Sequence, residues 1–134
     1  MANADRSIAF LGPVGTYTHE AVLHFAEKLG LDDPELVECV SFDEVFDCVD
    51  RGRCAFGVVG KENSLEGPVT ATLDNFAFRS GAVILGEKVV DIHHCLVLHP
   101  DASLEDVRTV ASHPQGLAQC RRFLATELPG RTTL

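Results

Sequence analysis

The sequence predicts an α/β fold, because apolar runs of strand length alternate with stretches of helical periodicity. The first run, Ser7 to Leu11, ends in a glycine-rich turn, as a buried strand does before a helix. Leu36 to Val40 and Cys54 to Val59 are the next two strand candidates, each preceded by a helical pattern. Two successive strand-helix-strand units of this length indicate a mainly parallel sheet with helices on its faces.

Both intervening helices carry start and stop signals. The first has Thr18 as its predicted N-cap and Gly30 as its stop. The second begins after Ser41, which nearly forms a capping box with Glu44, and it ends at Gly52. Each helix is therefore expected to pack one apolar face against the sheet.

The pattern changes after the third strand. The sequence predicts a loop from Gly60 to Pro68, a helix through Val69 to Phe76, and a long strand from Lys88 to Leu98. A short helix, a strand, a longer helix and the start of another strand are then expected at Ser103–Val107, Thr109–Ser112, Gln115–Ala125 and Arg131–Leu134.

Two lobes are predicted from this change of pattern. The boundary lies between Phe76 and Gly81, where a helix ends and the next apolar run begins. Residues 1–76 then form a first α/β lobe, and residues 77–134 form a second, truncated lobe.

Composition and charge exclude several classes of protein. With 11 basic and 20 acidic residues the net charge is -9, which leaves no basic surface excess for nucleic acid. No apolar stretch approaches the roughly 18 residues of a membrane span, and the first residues show no signal-peptide pattern. We therefore expect a cytoplasmic protein. The five cysteines include no C-x-x-C pair, which favours reduced thiols over disulfides or a zinc site.

The first candidate site is the turn from Gly12 to Thr16, between the first strand and the first helix. Gly15 lets the backbone approach a ligand closely, and the N-terminus of a helix attracts anions. The turn matches neither a Walker loop nor a dinucleotide-binding fingerprint. A tight turn without a ligand fits the same residues equally well.

The second candidate site is the polar segment that follows the third strand, where open α/β sheets bind their ligands. Asn63 and Ser64 can donate hydrogen bonds to a carboxylate or a leaving hydroxyl. Glu66 can hold a loop amide, and Gly67 permits an unusual backbone angle. The alternative is a solvated turn.

The third candidate site is a strand-to-helix junction at Ser112, His113 and Gln115. His113 and Gln115 are candidate substrate contacts, although a histidine at a helix start is as often a capping residue. His93 and His94 lie on alternate faces of a predicted strand, so one of them is expected in the core. No hydrolase triad and no H-E-x-x-H metal motif occurs.

In order and spacing, four parts of the chain resemble prephenate dehydratases. They are Gly12–Thr18, then Glu62–Gly67 with Val69–Leu73, then Ile92–Leu96, then Ser112–Gln115 with Ala118–Cys120. One such motif is weak evidence, but four in order make coincidence improbable.

The resemblance implies a fold similar to a type II periplasmic binding protein, with two α/β lobes and the active site between them. It places Asn63 and Ser64 on the substrate, Gly15 and Thr16 near the cleft, and the Ser112 to Gln115 junction on the second lobe. The implied activity is that of a carbon–oxygen lyase: decarboxylating dehydration of prephenate to phenylpyruvate in phenylalanine biosynthesis. It requires neither a metal nor an organic cofactor.

The sequence departs from the family in two places. Gly60-Lys61 stands where family members usually carry Pro followed by Ile or Val, which adds a cation near the predicted site. The family's Thr-Arg-Phe motif, which supplies the presumed catalytic threonine, and its regulatory ACT domain are not found in these residues. Thr132 and Thr133 are not followed by Arg-Phe, so the catalytic residue is unassigned.

Two other functions stay open at this point. In a prephenate decarboxylase, carbon dioxide would leave while the ring hydroxyl stays, but the Glu62 to Ser64 segment favours dehydration. A non-catalytic module that binds an aromatic or carboxylate ligand is the third possibility. The shortened second lobe would expose a sheet edge and apolar faces, so we expect a homodimer or a larger assembly.

Overall fold

A computed structural model describes residues 6–134. This part of the chain forms two compact units, one that ends at Asp91 and one from Ile92 to Leu134. The predicted lobes, residues 1–76 and 77–134, divide the chain differently and stay a prediction.

A three-stranded parallel sheet forms the centre of the first unit. Its strands are β1 (Ser7–Leu11), β2 (Glu35–Cys39) and β3 (Phe56–Val58), in the order β2-β1-β3. As the middle strand, β1 is paired along both of its edges. Its two faces are also covered, since Ile8 and Phe10 on one face and Ala9 on the other have no solvent exposure. The predicted bounds of β1 are confirmed to the residue, and the two outer strands are each shorter or shifted by a residue or two.

Helices α1 (Tyr17–Lys28) and α2 (Phe42–Asp50) connect these strands. The N-cap of α2 is Ser41, as predicted: its side chain accepts a hydrogen bond from the Glu44 N–H at 3.2 Å. The prediction of Thr18 as the N-cap of α1 is wrong. Thr16 has the extended backbone of a cap, and its hydroxyl accepts the His19 N–H at 3.3 Å.

Each helix covers one face of the sheet. On the α1 face, the buried cluster consists of Ile8, Phe10, Val22, Ala26 and Val58. On the α2 face it consists of Ala9, Cys39, Val45, Cys48 and Cys54. Alternate residues of β1 therefore supply the two clusters, as the period of a strand requires.

Three of the five cysteines belong to the α2 cluster. The sulfur atoms of Cys39 and Cys48 lie 3.8 Å apart, and Cys54 is also buried. Burial, together with the neighbouring Cys48, raises the pKa of the Cys39 thiol to about 12; burial also raises the pKa of Cys54. Cys39 and Cys54 are therefore held as protonated, weakly nucleophilic thiols.

The rate of thiol labelling at neutral pH is expected to distinguish the buried cysteines from the exposed one. A disulfide reagent should modify the exposed Cys95 rapidly, while Cys39, Cys48 and Cys54 react only when the protein unfolds. Mass spectrometry of labelled peptides at timed intervals measures this, and a Cys95→Ser variant identifies the fast site. Labelling of the three buried thiols as fast as that of Cys95 would contradict it.

The chain continues from β3 into a hairpin and a helix. The predicted loop at 60–68 contains two short antiparallel strands, β4 (Glu62–Asn63) and β5 (Gly67–Pro68). The predicted helix follows as α3 (Thr70–Asp74), which runs on into a π-helical turn at Asn75–Arg79.

The predicted strand from Lys88 to Leu98 is wrong, since none of these residues pairs in a sheet. A strand needs a neighbour to accept and donate its backbone hydrogen bonds, and the apolar pattern alone does not show where that neighbour is. The prediction that one histidine of this strand lies in the core is also wrong, because His93 and His94 are both exposed.

The second unit, Ile92–Leu134, contains a 3₁₀ turn at Leu104–Asp106 and two parallel strands. These are β6 (Thr109–Val110) and β7 (Thr132–Thr133). The helix predicted at Gln115–Ala125 is split into two, α4 (Pro114–Gln119) and α5 (Arg121–Glu127), which meet at Cys120.

Candidate active site

Two of the candidate segments lie at one edge of the first unit's sheet. The turn from Gly12 to Thr16 follows the end of β1, and the β4–β5 hairpin follows the end of β3. Because β1 and β3 are parallel neighbours, their carboxyl ends meet at the same edge. This is the edge at which open α/β sheets bind ligands.

The first half of the turn is held by β2. The Gly12 N–H donates to the Cys39 carbonyl at 3.0 Å, and the Val14 N–H donates to Glu38 Oε1 at 3.1 Å. These two N–H groups are therefore occupied by protein acceptors. The N–H groups of Gly12 and Val14 are therefore not among those that could bind an anion at this turn.

The second half of the turn is held by α1. Gly15 has a φ of 89°, which glycine adopts without strain, and its N–H donates to His19 Nδ1 at 3.3 Å. The Thr16 hydroxyl accepts the His19 N–H and donates to the Leu11 carbonyl at 3.4 Å. Gly15 and Thr16 thus have clear structural roles as the turn and the cap of α1.

The hairpin presents its polar side chains to solvent. Asn63 Oδ1 accepts the Leu65 N–H at 2.9 Å, so the amide oxygen is used within the turn and the amide NH₂ remains the donor. Ser64 and Glu66 are exposed, and Gly67 has a φ of 82°. Asn63 and Ser64 are hydrogen-bond donors on a turn that the bond between Asn63 and Leu65 orders, as a site for a carboxylate or hydroxyl requires.

Buried contacts fix the base of the hairpin. The Thr72 side chain has no solvent exposure and donates to the Gly60 carbonyl at 2.7 Å. The Val69 N–H donates to the Lys61 carbonyl at 2.8 Å. Lys61 also forms an ion pair with Glu87 at 3.7 Å, but both side chains are mostly exposed and the pair contributes little.

Replacement of Thr72 by valine tests the hydrogen bond from Thr72 to Gly60, which anchors the base of the hairpin. The change keeps the shape and leaves the Gly60 carbonyl without its donor, so we expect a loss of about 1–3 kcal/mol in the free energy of unfolding. Urea denaturation measures the loss. The exposed Thr70 is the matched control, since Thr70→Val removes no buried hydrogen bond. Equal stability of Thr72→Val and the parent chain would contradict the anchor.

The third candidate segment lies in the second unit, between β6 and α4. The side chain of His113 caps α4: its Nδ1 accepts the Gln115 N–H at 3.2 Å. The Ser112 N–H donates to the Leu134 carbonyl at 3.0 Å. Ser112, His113 and Gln115 are all exposed. The capping role that the sequence left open for His113 is the one observed.

A cavity of about 670 Å³ lies beside this junction, within the second unit. Its wall includes Ser112 and His94, and most of the remaining lining is apolar. His94 Nε2 lies 2.8 Å from Gln119 Oε1, a contact that the sequence analysis did not foresee. The sequence contained a signal for the wall of this cavity. Gly116 and Leu124 are separated by a helical spacing, which places one face of α4 and α5 on the cavity.

The candidate residues thus fall into two sets. Gly15, Thr16, Asn63, Ser64, Glu66 and Gly67 lie at one sheet edge of the first unit, and Ser112, His113 and Gln115 belong to the second unit. Among residues 6–134, no group of three or more His, Cys, Asp or Glu side chains could hold a metal ion. The same residues include no helix with the length and apolar character to cross a bilayer.

Comparison with known proteins decides the family. The family model for prephenate dehydratase matches residues 8–134. The chain belongs to the prephenate dehydratase family. A prephenate dehydratase of Corynebacterium glutamicum is 38% identical over 131 residues, which is 96% of this chain and 42% of that protein. A bifunctional chorismate mutase/prephenate dehydratase of Pseudomonas aeruginosa is 41% identical over 123 residues, 91% of this chain and 32% of its own length.

A solved structure supports the same family. The prephenate dehydratase of Arthrobacter aurescens, crystallised in complex with L-Phe, matches with a TM-score of 0.78 and 34% identity. The match covers 96% of this chain and 41% of that one. The predicted α/β class, similar to a type II periplasmic binding protein, is confirmed by this likeness. The chain spans about two fifths or less of the length of these prephenate dehydratases.

Proposed function

We propose that this chain carries substrate-binding residues of a prephenate dehydratase, the lyase that forms phenylpyruvate in phenylalanine biosynthesis. The observation that carries the proposal is the pairing of two family motifs at one edge of a parallel sheet. The Gly12–Thr16 turn and the β4–β5 hairpin follow adjacent strands, so a single ligand could contact both. Family membership supports prephenate as the ligand that such an edge would bind.

The proposed reaction removes the ring hydroxyl and a carboxylate of prephenate together, as water and carbon dioxide. Aromatisation of the ring supplies much of the driving force, but hydroxide is a poor leaving group and needs a proton as it departs. Asn63 and Ser64 are donors of hydrogen bonds, and their proposed role is to orient a carboxylate or the hydroxyl. The proton donor is not assigned to a residue of this chain, and the scheme requires no cofactor.

The fixed orientation of Asn63 supports its role. Its oxygen is held by the Leu65 N–H, so the side-chain amide is already ordered and its NH₂ can donate to a ligand at a lower entropic cost. Donors held in this way favour an anionic ligand, and prephenate carries two carboxylates.

Product analysis tests the proposal. Purified protein is incubated with prephenate, and the ultraviolet absorbance of phenylpyruvate is followed. Formation of phenylpyruvate with release of carbon dioxide is expected. A product that keeps the ring hydroxyl would instead show a decarboxylase, and absence of both turnover and prephenate binding by a folded chain would overturn the proposal.

We further propose that the protein acts in the cytoplasm as a homo-oligomer. Support comes from large apolar side chains on the surface of the first unit: Val83 is 76% exposed, Ile84 67% and Val89 83%. Apolar surface of this extent is commonly covered by another chain. Light scattering should therefore detect a dimer or a larger species. A single species at the mass of the monomer would contradict this expectation.

A further inference from the structure

His19 is fixed in place by its neighbours in the first unit. It lies in the first turn of α1, and its half-buried ring packs against the buried ring of Phe10 with 5.6 Å between centroids. Neither the glycine motif nor the hairpin motif includes it. Its position beside the turn is nevertheless set by the cap, because Thr16 accepts its N–H.

The ring of His19 holds the turn through one nitrogen. Nδ1 accepts the Gly15 N–H at 3.3 Å, so the neutral imidazole carries its proton on Nε2. Gly15 is the residue with the left-handed backbone, and it directly precedes the cap residue Thr16. His19 therefore bonds to both residues, by its side chain to Gly15 and by its main chain to Thr16.

The opposite side of the turn is held by Glu38, whose carboxylate accepts the Val14 N–H. Two side chains from different elements thus orient consecutive N–H groups of one turn. Neither bond is needed to form the helix, since the cap of α1 is made by Thr16 itself. The ring of His19 also packs against Phe10, but its Nδ1 bond to Gly15 acts on the turn alone, and a bond that orders a binding turn is expected to matter for ligand binding.

We propose that His19 is a positioning residue of the active site: its Nδ1 keeps Gly15 and Thr16 in the conformation that binds substrate. This proposal rests on the proposed function for the identity of the ligand. The hydrogen bond itself can be tested without reference to any ligand.

Two substitutions separate the two nitrogens of the ring. Asparagine places its amide oxygen near the position of Nδ1 and can accept the Gly15 N–H, whereas the longer glutamine places its amide near Nε2. We expect His19→Gln to lower kcat/KM for prephenate about tenfold, mainly through KM, because one orienting hydrogen bond is lost. His19→Asn should retain most of the activity. His24→Asn, on the same helix with no hydrogen bond to the turn, is the control.

Amide hydrogen exchange at Gly15 provides the second measurement. Protection should be kept in the parent and in His19→Asn and lost in His19→Gln. Both variants lose the packing of the ring against Phe10, so their unfolding midpoints should fall by similar amounts. The proposal is overturned if glutamine preserves activity and asparagine does not, if both preserve it, or if activity falls only in step with stability. If the parent chain neither binds nor converts prephenate, the proposed function fails, and exchange at Gly15 alone decides whether His19 holds the turn.

Discussion

Replacement of Asn63 by aspartate is expected to lower kcat/KM for prephenate on the order of 10- to 100-fold. Aspartate keeps the oxygen that accepts the Leu65 N–H, so the turn of the hairpin is preserved. It lacks the NH₂ group, and its charge repels a carboxylate of the substrate. The loss therefore reports the missing donor rather than a disordered loop.

Asn63→Ala completes the comparison. Alanine removes both the donor and the oxygen that orders the turn, so its activity should also fall by at least tenfold, as expected for a lost hydrogen bond to a charged group. Leu65→Ala is the control, because the Leu65 side chain is 70% exposed at the tip of the same hairpin. Near-parent activity of Asn63→Asp would remove Asn63 from the substrate site.

Replacement of Phe10 by alanine should have the largest effect on stability, about 3–5 kcal/mol in the free energy of unfolding. Phe10 has no solvent exposure and lies in the middle strand, in one buried cluster with Ile8 and residues of α1. Removal of its ring leaves a cavity that the packed sheet cannot close. Denaturant unfolding measures the loss.

A second phenylalanine provides the control for that experiment. Phe78 is 83% exposed, so Phe78→Ala should change the free energy of unfolding little. If Phe10→Ala does not fold, Phe10→Leu should still fold with a smaller loss. Equal stability of the Phe10 and Phe78 variants would show that β1 is not the centre of the core.

The parts of the fold that depend on local signals could be predicted from the sequence. The strand Ser7–Leu11 and the Ser41 cap are examples, because an apolar run before a glycine turn and a serine before an acidic turn act within a few residues. The prediction of Thr18 as the cap failed for a different reason. The observed cap, Thr16, is also a threonine, and only the backbone conformation distinguishes the two.

Features that depend on distant partners could not be predicted. The stretch from Lys88 to Leu98 has the composition of a strand, but composition does not reveal whether a pairing neighbour exists. The same limit applies to the candidate site. The sequence predicts Gly15 and Asn63 as site residues, yet Glu38 reaches the turn from 24 residues away, and no local pattern indicates that contact.

The central claim is that the Gly12–Thr16 turn and the β4–β5 hairpin bind substrate together. Titration of ¹⁵N-labelled protein with prephenate tests it most directly. Amide signals of Gly15, Thr16 and residues 63–67 should shift along one saturable curve. The amide signals of Gly30 and Gly52 should not shift. These glycines lie in the turns that precede β2 and β3, at the opposite edge of the sheet. Shifts at Gly30 and Gly52 with none in the turn and hairpin would contradict the account.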